Sequence, residues 1–236
     1  MSRVVLVTGG SRGIGLAIAE HQLSLGNKVA ITHLTTEAPK LPGLLPIRCD
    51  VTRTDEVDRA FTRVEQELGE VDVLVANAGV IANNFLEEMT DEQWDRVIDV
   101  NLTGTMKVAR RACRSMKERR AGRIIVMSSA LALAGGATQT NYAASKAGQL
   151  GFARGLAEEV AEYGVTVNVI CPGPTDTPMY RSLPEEFQRQ LVARTRTKRL
   201  IQTAEVAAVV NFLTSPDAKS ITGHIMEVDG GGSWGH

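Results

Sequence analysis

Three side chains of this 236-residue sequence could carry acid-base chemistry together: Ser129, Tyr142 and Lys146. The run Tyr142-Ala-Ala-Ser-Lys146 places a phenol and an ammonium four residues apart, on one face of a helix. A tyrosine with an ordinary pKa of about 10 is a poor proton donor or acceptor at neutral pH. An adjacent ammonium favours the phenolate and pulls that pKa towards working pH. Ser129 stands thirteen residues before Tyr142, at the end of the apolar run Ile124–Met127, where its hydroxyl could hold a substrate carbonyl.

A second group of residues could bind the reagent. The sequence has 22 glycines against two Trp, three Tyr and five Phe, a bias that suits close backbone approach to a ligand or between packed elements. Thr8-Gly9-Gly10-Ser11-Arg12-Gly13-Ile14-Gly15 follows the first apolar run and opens a helix-like segment. Such a turn lets backbone amides and the positive helix end face a pyrophosphate, although a ligand-free strand-to-helix turn would need the same glycines. A unit that binds NAD usually ends its second strand with an acid that accepts the ribose hydroxyls. Here that strand, Val29-Ala30-Ile31-Thr32-His33-Leu34, meets no acid until Glu37. With no carboxylate to repel a 2′-phosphate, and with Arg12 and His33 able to contact one, NADP(H) is the expected cofactor. Arg12 could otherwise be a solvated loop cation, and His33 a surface histidine.

The elements that must position these residues are legible as a pattern. Short β-branched runs, Val4–Val7, Val29–Thr32, Val71–Ala76, Ile124–Met127, Val165–Ile170 and Ile225–Val228, read as strands buried on both faces. Between them lie helix-like stretches, Gly13–Leu25, Asp55–Leu68, Asp91–Arg119, Tyr142–Tyr163 and Ala204–Leu213. Thr54-Asp55-Glu56 and Thr90-Asp91-Glu92-Gln93 read as helix-capping starts. Alternation of this kind predicts an α/β fold: one Rossmann-type, doubly wound parallel sheet with helices on both faces, spanning 1–236 as a single domain. The ligand crevice then lies at the carboxyl ends of the strands. Residues 174–203, polar and Arg-rich, read as an insertion placed where a substrate lid would be.

Composition removes other classes. A 43% hydrophobic and 22% charged chain is an ordinary globule, and a net charge of −1 draws it neither to nucleic acid nor to an anionic membrane. No apolar run reaches the ~18 residues of a membrane span, and the chain enters a strand pattern at once, so the expected compartment is the cytoplasm. Cys49, Cys113 and Cys171 are widely spaced and read as small buried hydrophobes; no metal site is expected.

Taken in order, Thr-Gly-x-x-x-Gly-x-Gly at 8–15, Asn77-Ala78-Gly79, Asn101, Ser129, Tyr142-x-x-x-Lys146 and Pro172-Gly173 resemble the short-chain dehydrogenase/reductases over the whole chain. Within that family the sequence is similar to the β-ketoacyl-acyl-carrier-protein reductases, particularly the actinobacterial branch. It shares Asn101-Leu-Thr-Gly104, Asn141-Tyr-Ala-Ala-Ser-Lys-Ala-Gly148 and Val228-Asp-Gly-Gly231, and ends in Gly235-His236. The resemblance implies that Tyr142 protonates the new alkoxide. Lys146 would hold the ribose hydroxyls and lower the tyrosine pKa, Ser129 would polarise the ketone, and Asn101 would hold a water behind Lys146. It places Thr8, Gly9, Ser11, Arg12, Gly13, Ile14 and Gly15 at the pyrophosphate, Asp50 and Val51 beside the adenine, Asn77 to Gly79 along the adenosine ribose and Thr177 at the nicotinamide amide, and counts Pro172 and Gly173 among the cofactor-binding residues. Asn77 and Asn101 could instead be turn-forming asparagines.

The implied activity is NADPH-dependent reduction of a 3-oxoacyl thioester, with a ketoacyl group on acyl carrier protein as substrate and a homotetramer as the assembly. Segment 107–123 carries eight basic residues and one acid, and Arg120 falls where those enzymes have a docking arginine. Tyr163 stands where a second docking arginine is usual, and Glu158, Glu159 and Glu162 lie nearby. Pro174 and Pro178 stiffen the start of the lid, and Leu34 replaces a basic residue that close relatives carry beside the 2′-phosphate. Two other readings stand beside this one: a ketoreductase of polyketide or small-ketone chemistry, and a nucleotide-sensing regulator on the same fold that uses its basic segment to grip nucleic acid or protein.

Overall fold

The computed structural model describes residues 2–233. The Gly235-His236 ending lies outside them. The strands β1 (Val4–Val7), β2 (Lys28–His33), β3 (Leu44–Arg48), β4 (Val73–Ala76), β5 (Gly122–Met127), β6 (Val165–Pro172) and β7 (Ile225–Val228) form one parallel sheet in the order β3-β2-β1-β4-β5-β6-β7. Strand order reverses between β1 and β4, which puts the ligand crevice of an open α/β sheet at their carboxyl ends.

Side chains alternate between two buried layers. Val4 and Leu6 of β1 face the helices α2 (Thr54–Glu67), α4 (Gly104–Arg119) and α6 (Thr140–Val160), while Val5 and Val7 face α1 (Gly13–Ser24) and α9 (Thr203–Thr214). Burial on both faces explains why the strands read as unbroken apolar runs.

Three features depart from the sequence reading. β3 lacks a continuous apolar run because Pro46 sits inside it. An edge strand tolerates a proline, since one side of its ladder is unpaired. The stretch 91–119 is α3 (Asp91–Ile98) and α4 joined by a π turn at Asp99–Thr103, with Asn101 at its middle. α2 begins at Thr54 itself, after an extended Arg53 with no side-chain cap, so Thr54 is not the capping residue. The Thr90/Gln93 capping box forms as expected. Segment 174–203 carries two short helices, α7 (Pro178–Arg181) and α8 (Glu185–Arg194), α5 (Leu131–Ala134) being the remaining short helix. The three cysteines are buried and free.

Candidate active site

Two adjoining cavities open along the carboxyl ends of the strands. The larger, about 520 Å³, runs from Arg12, His33 and Asp50 past Asn77 and Gly79 to Tyr142 and Lys146. The smaller, about 200 Å³, starts at Ser129 and Tyr142 and ends among Leu131, Leu183 and Leu191. Tyr142 and Ser128 belong to the wall between them.

Backbone builds the far end of the larger cavity. Gly9 and Gly13 adopt left-handed φ values of +64° and +57°, and a Cβ on Gly15 would lie 2.5 Å from the Gly9 carbonyl oxygen. Arg12 precedes α1 in an extended conformation with no side-chain cap and no acid in the first turn, so the helix presents free amides to the cavity. A dinucleotide pyrophosphate fits this cradle, which any Cβ at Gly15 would fill. Ser11, Arg12 and His33 line its outer end, and Arg12 makes no ion pair among the described residues. Asp50 and Val51 line the opposite wall, where Asp50 Oδ1 accepts hydrogen bonds from Thr52 N at 2.9 Å and Thr52 Oγ1 at 2.8 Å.

Thr8 does not line the cavity. It is buried, and its Oγ1 accepts hydrogen bonds from Asn77 N and Ala78 N, both at 3.0 Å. Asn77 Nδ2 donates in return to the carbonyls of Thr8 at 2.9 Å and Gly9 at 3.1 Å. The pair is a staple between the loops after β1 and β4, so Asn77, Ala78 and Gly79 present mainly backbone to the cavity. Pro172 ends β6 and Gly173 follows it. They line the smaller cavity, with Gly173 packed so tightly on Asp229 that a Cβ would meet its Cα at 2.7 Å. Thr177 lines both cavities and caps α7 by accepting from Tyr180 N at 3.2 Å.

At the junction, β5 ends at Met127 and delivers Ser128 and Ser129, while the first turns of α6 deliver Tyr142 and Lys146. Ser128 Oγ donates to the Lys146 carbonyl at 2.9 Å, tying the two elements together. Lys146 is buried; its Nζ donates to the Met127 carbonyl at 2.8 Å and lies 5.6 Å from the Tyr142 ring centre. Burial pulls its ammonium down to about 8. Burial pushes the Tyr142 phenol up to about 12, with a hydrogen bond from Ser129 pulling the other way. The ammonium is engaged by a carbonyl, and desolvation is the leading influence on both groups.

Asn101 is buried in a network of protein groups. Its Oδ1 accepts from Val80 N at 2.8 Å, and its Nδ2 donates to Val80 O at 3.1 Å and Ser145 Oγ at 3.0 Å. Its carbonyl accepts from Thr105 Oγ1 at 2.6 Å and Gln149 Nε2 at 2.7 Å. Its side-chain oxygen, side-chain nitrogen and carbonyl thus each pair with protein groups. Sequence reasoning missed Ser128, Ser145 and Gln149. A polar residue on the apolar stripe of α6 was the available signal for the last of these.

Arg120 lies at the other end of β5. It ends α4 in a left-handed conformation, two residues before the strand, whereas Ser129 follows the strand. A six-residue strand spans roughly 20 Å, so Arg120 does not stand at the cavity mouth of its own chain. With Lys117 it packs on the Tyr163 ring, at 5.5 and 4.3 Å from the centre.

A family model described as enoyl-(acyl carrier protein) reductase matches residues 9–233, the glycine turn through the last described residue. The chain belongs to the short-chain dehydrogenase/reductase family. Among its relatives in that family is the 3-oxoacyl-acyl-carrier-protein reductase MabA of Mycobacterium tuberculosis, 51% identical over 236 residues, 100% of this chain and 95% of the relative. The 3-oxoacyl-acyl-carrier-protein reductase FabG of Salmonella typhimurium is 39% identical over 97% of this chain and 96% of its own length. An acetoacetyl-CoA reductase of Shinella zoogloeoides is 40% identical over 98% of each chain. Among the described residues no group of three His, Cys, Asp or Glu could hold a metal ion, and no helix is long and apolar enough to cross a membrane.

Proposed function

We propose that this short-chain dehydrogenase/reductase reduces the ketone of a 3-oxoacyl thioester to the 3-hydroxyacyl thioester, with NADPH as reductant. The observation that carries the reading is the meeting of Ser129, Tyr142 and Lys146 where a dinucleotide-sized cavity joins a smaller apolar one. Reduction of a ketone needs a hydride at carbon and a proton at oxygen. A bound reduced nicotinamide supplies the hydride. The chain supplies the rest.

Ser129 Oγ would donate to the ketone oxygen and fix it beside Tyr142. The Tyr142 phenol, raised by burial, is protonated at neutral pH and would give its proton to the developing alkoxide. Lys146, charged below about 8, would hold ribose hydroxyls and stabilise the phenolate left behind. Arg12 and His33 would take the 2′-phosphate, since β2 ends without a carboxylate. The acyl chain would enter the smaller cavity, walled by Leu131, Leu183 and Leu191.

The relatives support a thioester carrier: two are named for acyl carrier protein and one for coenzyme A. We assign acyl carrier protein as the preferred carrier. Because Arg120 sits at the opposite end of β5 from the cavities, docking there would guide a substrate arm over the molecular edge or towards a neighbouring subunit of an oligomer.

Purified protein tests the reading by oxidation of NADPH with acetoacetyl thioester, with crotonyl thioester as the control for enoyl reduction. Turnover of the first alone supports it. Turnover of neither, or of crotonyl thioester alone, refutes it. A kcat/KM advantage of carrier-bound over coenzyme A-bound substrate supports the assigned carrier, and no advantage refutes that part.

A further inference from the structure

We infer that Gln149 is a positioning residue for the reacting end of the cleft: its side-chain amide holds the π turn at Asn101 in the shape that places Tyr142 and Lys146. The kinetic readout rests on the proposed reduction, while the geometry stands apart from it.

Gln149 lies one turn beyond Lys146 on α6 and is fully buried. Its Nε2 donates to the Asn101 carbonyl at 2.7 Å and to Thr105 Oγ1 at 2.9 Å; Thr105 Oγ1 donates to the same carbonyl at 2.6 Å. A carbonyl in an α-helix is ordinarily paired by the amide four residues on, and the π turn disturbs that register. Two side chains donate to the Asn101 carbonyl at this turn. From Asn101 the network continues in two directions. Nδ2 donates to Ser145 Oγ at 3.0 Å, which donates to the Tyr142 carbonyl at 2.7 Å. The same side chain pairs with both backbone polar groups of Val80 and fixes the loop beside Lys146, where a Cβ on Gly79 would lie 3.6 Å from Nζ. One buried amide thus anchors a network that ends on the peptide of Tyr142 and on the loop against the Lys146 ammonium.

Stability does not account for a glutamine here. Gln149 Oε1 has no donor among the described residues, and a buried unpaired acceptor is unfavourable. Ala153 and Ala157, further along the buried side of α6, are apolar, and a leucine at 149 would fill the space without an orphaned atom. The two donations to the π turn are what the glutamine adds.

Gln149→Leu and Thr105→Val each remove one donor to the Asn101 carbonyl at nearly constant volume. Each is compared with the parent by Tm, by NADPH Kd from nucleotide fluorescence, and by kcat and KM for acetoacetyl-CoA. For Q149L the expected result is an equal or higher Tm, Kd and KM within about twofold, and kcat lower by about tenfold, as for a slightly misplaced proton donor. T105V should lower kcat in the same way but less, and the double variant should lose less than the two losses multiplied, because both act on one carbonyl. Parental kcat in Q149L, or a loss that only follows the unfolded fraction, overturns the inference; if Q149L does not fold, T105V decides on the same criteria. A parent with no turnover refutes the proposed reduction, not this inference. The Tyr142 phenol, read by ultraviolet titration against Tyr142→Phe, then decides: a midpoint displaced in the folded variant supports it, and an unmoved one overturns it.

Discussion

The two ends of β5 are built on different principles. At the carboxyl end, polar groups are buried and held by uncharged partners: Lys146 by the Met127 carbonyl, Ser128 by the Lys146 carbonyl, and Asn101 by Val80, Ser145, Thr105 and Gln149. At the amino end, cations are partly exposed and meet acids or rings. Arg119 pairs with Asp72 at 2.9 Å, Arg111 with Glu65 at 2.6 Å, and Lys117 and Arg120 stack on Tyr163. Low-dielectric surroundings make the first end sensitive to single atoms, whereas solvent screening makes the second forgiving. Chemistry should therefore be lost at one end and only adjusted at the other.

The largest effect expected is at Tyr142. Tyr142→Phe removes the proton donor alone and should lower kcat by about 10³-fold with little change in KM, measured by NADPH oxidation. A variant at parental rate would remove the basis for the contrast. Close behind comes Gly15→Ala, whose Cβ would meet the Gly9 carbonyl at 2.5 Å and Asn77 Nδ2 at 2.6 Å. Neither neighbour can withdraw freely, so NADPH affinity should fall by about 100-fold or more in a fluorescence titration.

The pH profile sharpens the comparison. Lys146 is charged below about 8 and Tyr142 protonated below about 12, so the reduction rate should fall as pH rises through about 8. Lys146→Arg keeps its charge throughout and should move that limb upward. The stability sign is the reverse. Between about 8 and the ordinary lysine value of 10.5, the unfolded chain binds the proton that the folded chain has released, so Lys146 adds stability as pH rises across that window. Lys146→Met should remove this slope from the pH dependence of Tm.

Smaller still is Arg12→Ala, at the outer rim of the cleft. Loss of one charge-assisted contact should weaken NADPH by about tenfold while leaving NADH nearly unchanged, read from the ratio of their kcat/KM values. At the amino end, Arg120→Glu should leave kcat with coenzyme A-bound substrate at the parental value. It should lower kcat/KM for carrier-bound substrate a few-fold, more at low than at high salt. A large loss with the coenzyme A thioester would show that the two ends are coupled.

Much of this arrangement is legible in the sequence. The glycine turn, the Tyr142/Lys146 spacing, Ser129 at the end of a strand and the buried runs of a parallel sheet are local patterns, and local patterns survive in one dimension. β3 was hidden by Pro46, which is acceptable only because that strand is an edge, and edge position is a property of the assembled sheet.

The sequence by itself determined the fold class and the residue types brought to the carboxyl ends, because hydrophobic period and glycine placement restrict the backbone directly. Only the tertiary structure decided what those residues are doing. It turned Thr8 and Asn77 into a staple and placed Pro172 and Gly173 along the second cavity. It filled the carbonyl of Asn101 with Gln149 and Thr105, and it set Lys146 against a carbonyl with its pKa lowered by burial. It also put Arg120 a full strand away from Ser129. Hydrogen-bond partners and desolvation depend on which groups meet across tens of residues, and spacing along a chain does not encode that meeting.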